Sequence, residues 1–307
     1  MISIIRMTLF LPRIDRVHVW SIGIYTGESP FALSPPAGIG NPVLTARHVS
    51  DVRARYVADP FLLRHDSSWY MFFEVLDEDS HRGKIAYARS DDGLHWLYGG
   101  IVLDEPFHLS YPYLVTWNDE IYLVPESGAV KAVRLYRASQ FPSHWVLVRN
   151  LLAGEPYADP SLIYRHARWW MFAVSDPRRN DSLRLYYAEH LEGEWTEHPR
   201  SPVVVSNPHW ARPGGRVFEC GGRLFRYAQD DSPKYGRQVW ALEITELTTT
   251  HYEERLVQDQ PIVRGSGWGW HALGMHHVDV HPLGDGRWIA CVDGHRNARR
   301  FGFTRRR

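Results

Sequence analysis

The sequence predicts an all-β protein, and within that class a five-bladed propeller. A phrase made of an X-Pro pair and two apolar runs around a polar turn occurs three times. It reads "DPFLLRHDSSWYMFF", "YPYLVTWNDEIYLV" and "DPSLIYRHARWWMFAV", with 52 residues from Asp59 to Tyr111 and 48 from Tyr111 to Asp159. No stretch of the chain sustains the 3.6-residue apolar period of a long amphipathic helix.

Each phrase reads as a hairpin of short aromatic and β-branched strands. A third strand follows each one, "GKIAYARS", "VRLYRAS" and "LRLYYAE", and then a Trp-marked segment, "DGLHWLYGG", "FPSHWVLVR" and "EGEWTEHP". Four short strands in a unit of roughly 50 residues is the pattern of a propeller blade. A more divergent fourth unit runs from "RPGGRVFECGGRLFRYAQD" through "RQVWALEITEL". A fifth, "GMHHVDVHPLGDGRWIACVDGHR", is short of outer strands, and the N-terminal "RVHVWSIGIYTGES" is placed to complete it. The expected organisation is one domain over residues 1–307, with blades near 56–106, 107–156, 157–206, 207–260 and 261–300, closed by a strand at 16–28. A β-sandwich or β-helix is the competing arrangement.

Composition narrows the function. With 35 basic and 35 acidic residues, the chain lacks the basic excess of a phosphate-backbone binder, so no nucleic-acid partner is expected. Two cysteines, Cys220 and Cys291, exclude a disulfide framework and a four-cysteine zinc site. The start "MISIIRMTLFLPRIDR" is broken by Arg6 and Pro12 and lacks a small-residue cleavage site. No run reaches the roughly 20 apolar residues of a spanning helix. These features lead to the expectation of a cytoplasmic protein without membrane insertion.

In a propeller, the start of the first strand and the end of the antiparallel second strand share one rim. Asp59 with Glu74, Tyr111 with Glu126, and Asp159 with Ser175 or Asp176 are therefore expected at one mouth of the channel. An Asp before Pro also initiates turns by bonding local backbone. Several acids in one cleft raise one another's pKa, which lets one carboxyl stay protonated while another acts as a base. In the fourth unit Arg216 is read as the inner-strand residue, able to present its planar fork to a carboxylate, a phosphate or sugar hydroxyls. Gln229, Asp230 and Lys234 end the next hairpin and are read as hydroxyl-binding groups.

"GWGWHALGMHHVDVH" (267–281) is the densest polar stretch. His271, His276 and His277 are candidates for hydrogen-bonding a substrate, and Trp268 and Trp270 either stack on a sugar or pack. Strand alternation puts His277, Asp279 and His281 on one face, but residues two apart on a strand lie about 6.5–7 Å apart. That is stretched for joint ligation, so no metal and no cofactor is expected.

Asp59-Pro60 before an aromatic hairpin and "ARSDDGLHW" resembles the five-bladed propeller glycosidases of the arabinanase, xylosidase and invertase type. "ADPFL", "HLSYPYL", "PES", "RLYRASQFPSHW", "GGRLFRYAQDDSPKYG" and "ITELTTTHYEE" more closely resemble the N-terminal propeller of plant glucosamine inositolphosphorylceramide transferases and formyltransferase-linked bacterial propellers. The resemblance spans roughly residues 55–295 and implies carbohydrate chemistry. It implies that Asp59 is a general base or nucleophile. Tyr111 replaces the second-blade aspartate of the glycosidases, and Asp159 stands where their glutamic acid is expected, so Glu126 is taken as the substitute acid. "FEC" at 218–220 resembles an invertase acid motif, although Glu219 falls in a hairpin. The expected catalytic set is Asp59, Glu126 and Asp159. The substrate-binding set is Glu74, Tyr111, Arg216, Asp230, His271, His276 and His277. The leading function is a carbohydrate-active enzyme of glycosidase-like type acting on a sugar-containing molecule, alongside a separate sugar-modifying enzyme as a possible partner. The alternatives are a propeller that binds a glycan or partner without turnover, and a biosynthetic enzyme that has reused the funnel for non-sugar chemistry.

Overall fold

The structure is a computed structural model and describes residues 10–305, with side chains over 16–299. Five antiparallel sheets form a five-bladed β-propeller. Blade 1 comprises Ala54–His65, Ser68–Asp77, Arg82–Ser90 and Leu97–Leu103. Blade 2 comprises Ser110–Trp117, Glu120–Ser127, Ala132–Gln140 and His144–Ala153. Blade 3 holds Ala158–Arg165, Arg168–Val174, Leu183–Ala188 and a two-residue edge, Thr196–Glu197. Blade 4 begins with a short inner strand, Phe218–Cys220, followed by Arg223–Asp230, Gln238–Leu247 and Tyr252–Leu256. Blade 5 is built from both ends of the chain: Val278–Pro282 inside, then Trp288–Arg305, then Phe10–Ser29 and Ala32–Ser34 outside. The closing pair runs in continuous register from Phe10↔Arg305 to Gly27↔Trp288.

Blades pack face to face, so a central strand buries both of its faces and reads as an unbroken apolar run instead of an alternating one. In "WYMFF", Met71 and Phe73 pack toward blade 5 with Ile22 and Cys291. Phe72, between them, packs toward blade 2 with Leu123 and Tyr136. "WWMFAV" does the same, with Trp169 and Met171 facing blade 2 and Trp170 and Phe172 facing blade 4. The hydrophobic core therefore lies between the blades. Both cysteines are free thiols; Cys291 is buried and donates to the Pro60 carbonyl.

Closure makes the N-terminal strand part of the core rather than an appendage. Ile22 is fully buried between blades 5 and 1. Ile22→Ala should cost about 2–5 kcal/mol and lower the midpoint of a single urea transition seen identically by fluorescence and far-UV circular dichroism. An early separate transition for the N-terminal segment would contradict closure.

Candidate active site

The repeated X-Pro phrase folds as a β-bulge in three blades. Between Ala58↔Glu74 and Phe61↔Phe72, three steps on the inner strand face two on its partner. The same slip separates Ser110↔Glu126 from Tyr113↔Val124, and Ala158↔Val174 from Ser161↔Phe172. The extra residue re-aims a side chain. It also places Asp59, Tyr111 and Asp159 at φ 52°, 46° and 50°. Asp tolerates this left-handed conformation better than Tyr, and each such residue costs on the order of 1–3 kcal/mol.

Each bulge turns one N–H away from its own ladder, and a carboxylate from elsewhere on the rim receives it. Asp59 N–H donates to Asp293 Oδ2 at 3.0 Å, Tyr111 N–H to Asp59 Oδ2 at 3.3 Å, and Asp159 N–H to Glu126 Oε2 at 3.2 Å. All three bonds cross between blades. The bulges thus collect acids at one mouth of the channel.

Two of these acids have full counter-charges. Arg212 donates to Asp159 through Nε at 2.6 Å and a terminal nitrogen at 3.3 Å, and approaches Glu126 Oε2 at 3.7 Å. Gln229 adds a 2.8 Å bond to Asp159, whose side chain is closed to solvent. His276 Nδ1 lies 2.8 Å from Asp293 Oδ1, and its Nε2 lies 3.7 Å from Asp59 Oδ1. Burial alone would push the His276 imidazole down, but Asp293 and Asp59 outweigh it and lift it to about 9. The same pairing holds the Asp293 carboxyl below its usual range despite burial.

Asp59, Glu74 and Glu126 lack such full compensation. Burial raises Asp59 to about 7, with His276 opposing and Asp293 adding to the rise. Burial and then the Asp59 charge push Glu74 well above the carboxylate range; its oxygen lies 3.5 Å from both Tyr56 Oη and His108 Nε2. Burial and the Asp159 charge do the same to Glu126, against Arg212. Tyr235 completes the wall, under the Arg212 guanidinium at 5.3 Å and edge-on to His276 at 5.3 Å.

Of the residues read from sequence, Asp59, Glu74, Glu126, Asp159 and His276 meet at this mouth. Arg216 does not. It lies further along the channel, bonded to Asp279 at 2.7 Å and to the Leu114 and Leu62 carbonyls. Arg212, in the Arg212-Pro213 pair, takes the rim place that sequence reading gave to Arg216. Tyr111 points inward, its hydroxyl bonded to Ser161 and to the Gly215 N–H and carbonyl. His277 packs edge-on against Phe61 and Tyr111, and burial lowers it to about 4. Both are plug residues with no opening to a substrate. Asp230 ties its own loop through Gln238, Trp240, Ser232 and His209. His271 packs on Trp270 and against Gly294 instead of on the carboxylates. Asp293, Tyr56, His108 and Tyr235 were missed; of these, His108 sits in "HLSYPYL", Tyr235 in "DDSPKYG", and Asp293 in the fifth unit, at the rim end of its second strand as Glu74 and Glu126 are of theirs.

The metal question also moves. His281 meets Asp279 at 3.2 Å, but Asp279 is also paired with Arg216, and His277 packs apart against Phe61 and Tyr111. Asp59, His276 and Asp293 each offer one atom within a mutual 4.8 Å. A cation there would compete with the imidazolium proton that bridges His276 to Asp293.

The fold is a five-bladed propeller of the kind found among solved glycoside hydrolases. The fold is similar to the catalytic domain of a GH62 α-L-arabinofuranosidase from Coprinopsis cinerea, with a TM-score of 0.59 and 13% identity, covering 78% of this chain and 91% of that one. A putative glycoside hydrolase from Parabacteroides distasonis gives a TM-score of 0.58 at 12% identity, covering 87% and 98%. At such identities the likeness is one of fold. The model of the glucosamine inositolphosphorylceramide transferase 1 N-terminal region matches residues 13–295, and the chain belongs to that family. The Oryza sativa subsp. japonica protein of that name is 36% identical over 299 residues, and the Arabidopsis thaliana protein 33% over 305. These alignments take in 90% and 92% of this chain but 40% of each relative, so the chain spans two fifths of their length. Among the described residues no helix is long and apolar enough to cross a membrane.

The rim's charges set a pH dependence. A folded value of about 9 for His276, above its ordinary 6.5, means that its contribution to stability is complete below pH 6.5 and lost as pH rises through 9. Asp59, raised from 3.8 to about 7, likewise favours the folded state below pH 3.8 and loses that contribution by about pH 7. Urea stability of the wild type should therefore fall between pH 7 and 9. Asp293→Asn should flatten that slope and bring the His276 NMR titration below its ordinary value, because burial is then the larger influence. An unchanged titration in the variant would contradict the assignment.

Proposed function

We propose that the acidic mouth is the active site of a carbohydrate-active enzyme that cleaves a glycosidic bond, with Glu126 as proton donor and Asp59 as base or nucleophile. The observation that carries the reading is a set of carboxyl groups in one cleft held at unequal proton affinities. Glu126 is pushed well above the ordinary carboxylate range by burial and by the Asp159 charge, against the opposing Arg212. Asp59, pushed to about 7 but facing the His276 imidazolium, is ionised in a large share of molecules there. Such a separation is what acid and base roles require.

In this scheme Glu126 gives its proton to the departing glycosidic oxygen as the bond to the anomeric carbon breaks. Asp59 either takes a proton from the attacking water or attacks the anomeric carbon itself. Asp159 does not touch the substrate. Its oxygens are held by Arg212 and Gln229, and it acts by positioning Arg212 and raising Glu126. Tyr56 and Tyr235 supply hydroxyls for the sugar. His276 and Asp293 hold a positive charge against Asp59. The transferase activity in the names of the longer relatives is not assigned to this mouth.

Binding without turnover is the second reading. It is favoured by the burial of the two proposed catalytic groups, the Asp59 and Glu126 side chains being 13% and 18% exposed.

A screen of glycans and aryl glycosides tests both. Asp59→Asn should leave the circular dichroism unchanged and cut turnover at least about 100-fold. Glu126→Gln should slow substrates with basic leaving groups far more than activated aryl glycosides. Near-normal turnover by Asp59→Asn would overturn the mechanism. Equal glycan binding by wild type and Asp59→Asn, with no turnover by either, would replace it with the binding reading.

A further inference from the structure

Each inner strand runs from the acidic rim toward its hairpin turn, and the channel is plugged midway by Phe61, Tyr111 and His277, which pack edge to face, and by Tyr113, tilted against Phe61. Past the plug, at the hairpin ends, lies a cavity of about 520 Å³ lined by residues of blades 1 to 5. Its lining is unlike that of the rim. Leu63, Val115, Ile163 and Val217 form aliphatic walls, and Trp117, Tyr164 and Trp288 supply aromatic faces.

We propose that this cavity is a second ligand site, separate from the carboxylate rim, for a small molecule with a flat apolar body and a carboxylate or carbonyl oxygen. The volume lies within the roughly 300–1,000 Å³ of small-molecule sites, which are mainly apolar with a few placed polar groups. Flat faces are already assembled: Trp117 packs on Tyr164 at 4.3 Å and on Trp169 at 5.0 Å, and Tyr164 remains 36% exposed.

The polar end of the ligand follows from which groups are already engaged. Glu219 is paired with Arg165, and His281 lies 3.2 Å from Asp279. Arg216 lines the cavity, and its guanidinium makes three hydrogen bonds, to Asp279, Leu114 and Leu62. A guanidinium carries five N–H groups. The capacity left on Arg216 is therefore donor capacity, which an oxygen acceptor would meet. A sugar, which brings many hydroxyls and little flat apolar surface, fits this lining poorly.

The probe is 2-naphthoate, followed by quenching of tryptophan fluorescence and by saturation-transfer NMR. It should bind the wild type with a Kd below about 1 mM. The 2-naphthylmethylammonium cation, of similar shape but with a donor in place of the acceptor, should bind at least about tenfold more weakly. Thr116 is exposed at the cavity and outside the rim machinery. Thr116→Trp should fill the opening and weaken naphthoate at least about tenfold, with circular dichroism and any glycoside turnover unchanged. Asp59→Asn should leave naphthoate binding as it is. Failure of naphthoate to saturate the wild type, equal binding of the cation, or unaltered binding by Thr116→Trp would overturn the proposal. So would loss of binding in Asp59→Asn, which would place the probe at the rim. None of these outcomes depends on whether the rim hydrolyses a glycoside.

Discussion

A backbone N–H turned out of its ladder at each X-Pro bulge is the constraint on which the acidic mouth depends. The proline supplies no donor of its own, and the bulge residue ahead of it loses its ladder partner. Left unpaired in a buried rim, that N–H would cost on the order of 1–3 kcal/mol, on top of the left-handed backbone. A carboxylate from a neighbouring strand or blade removes the cost. Asp293 serves Asp59, Asp59 serves Tyr111, and Glu126 serves Asp159. Acids that satisfy backbone in this way must be buried and close together, and close burial is what raises Asp59, Glu74 and Glu126. The fold's hydrogen-bonding requirement and the unequal proton affinities of the site have one origin.

The channel's two ends divide the polar and apolar work. At the rim, Arg212 and the His276 imidazolium balance two of five carboxyl groups. Beyond the plug, Arg216 is balanced by Asp279, which stays ionised at about 2 because the guanidinium outweighs burial. Arg216 also joins blade 4 to blades 1, 2 and 5 through its three acceptors. Phe61, Tyr111, Tyr113 and His277 pack between the two charge systems and keep them apart.

The ring of blades was legible because three of its units repeat a local phrase, and local phrases survive in sequence. Asp59, Glu74, Glu126 and Asp159 were legible for the same reason, since strand antiparallelism fixes which ends share a rim. The fourth blade departs from the phrase: Gly214 and Gly215 follow its X-Pro pair, and regular pairing begins only at Phe218. Gly215 comes so close to Val278 that a Cβ there would overlap the backbone, and its φ is 136°. Taking Arg216 instead of Arg212 as the rim residue was a slip of four positions, about 13 Å along a strand, enough to carry a side chain from one mouth into the other. Asp293 was overlooked although it ends the second-strand segment of the fifth unit, where the rim rule that found Glu74 and Glu126 also applies; it reaches Asp59 across the seam between blades 5 and 1.

That closure links the two ends of the chain to the chemistry. Trp20, from the N-terminal strand, stacks on His276 with ring centroids 3.9 Å apart and on His295 at 4.2 Å. An indole face attracts a cation, by about 0.5–2 kcal/mol depending on desolvation, so the stacking on its own favours the charged form of His276. Asp293, from the C-terminal strand, holds the same ring from its edge at 2.8 Å. One group from each end of the chain thus keeps the imidazolium in place. The imidazolium in turn is the positive charge that faces Asp59 and opposes the effect of its burial. Before the N-terminal and C-terminal strands pair, His276 has neither its aromatic cover nor the rigid strand that presents Asp293. The electrostatic balance of the rim is therefore a consequence of the eighteen paired positions between Phe10 and Gly27 that close the propeller.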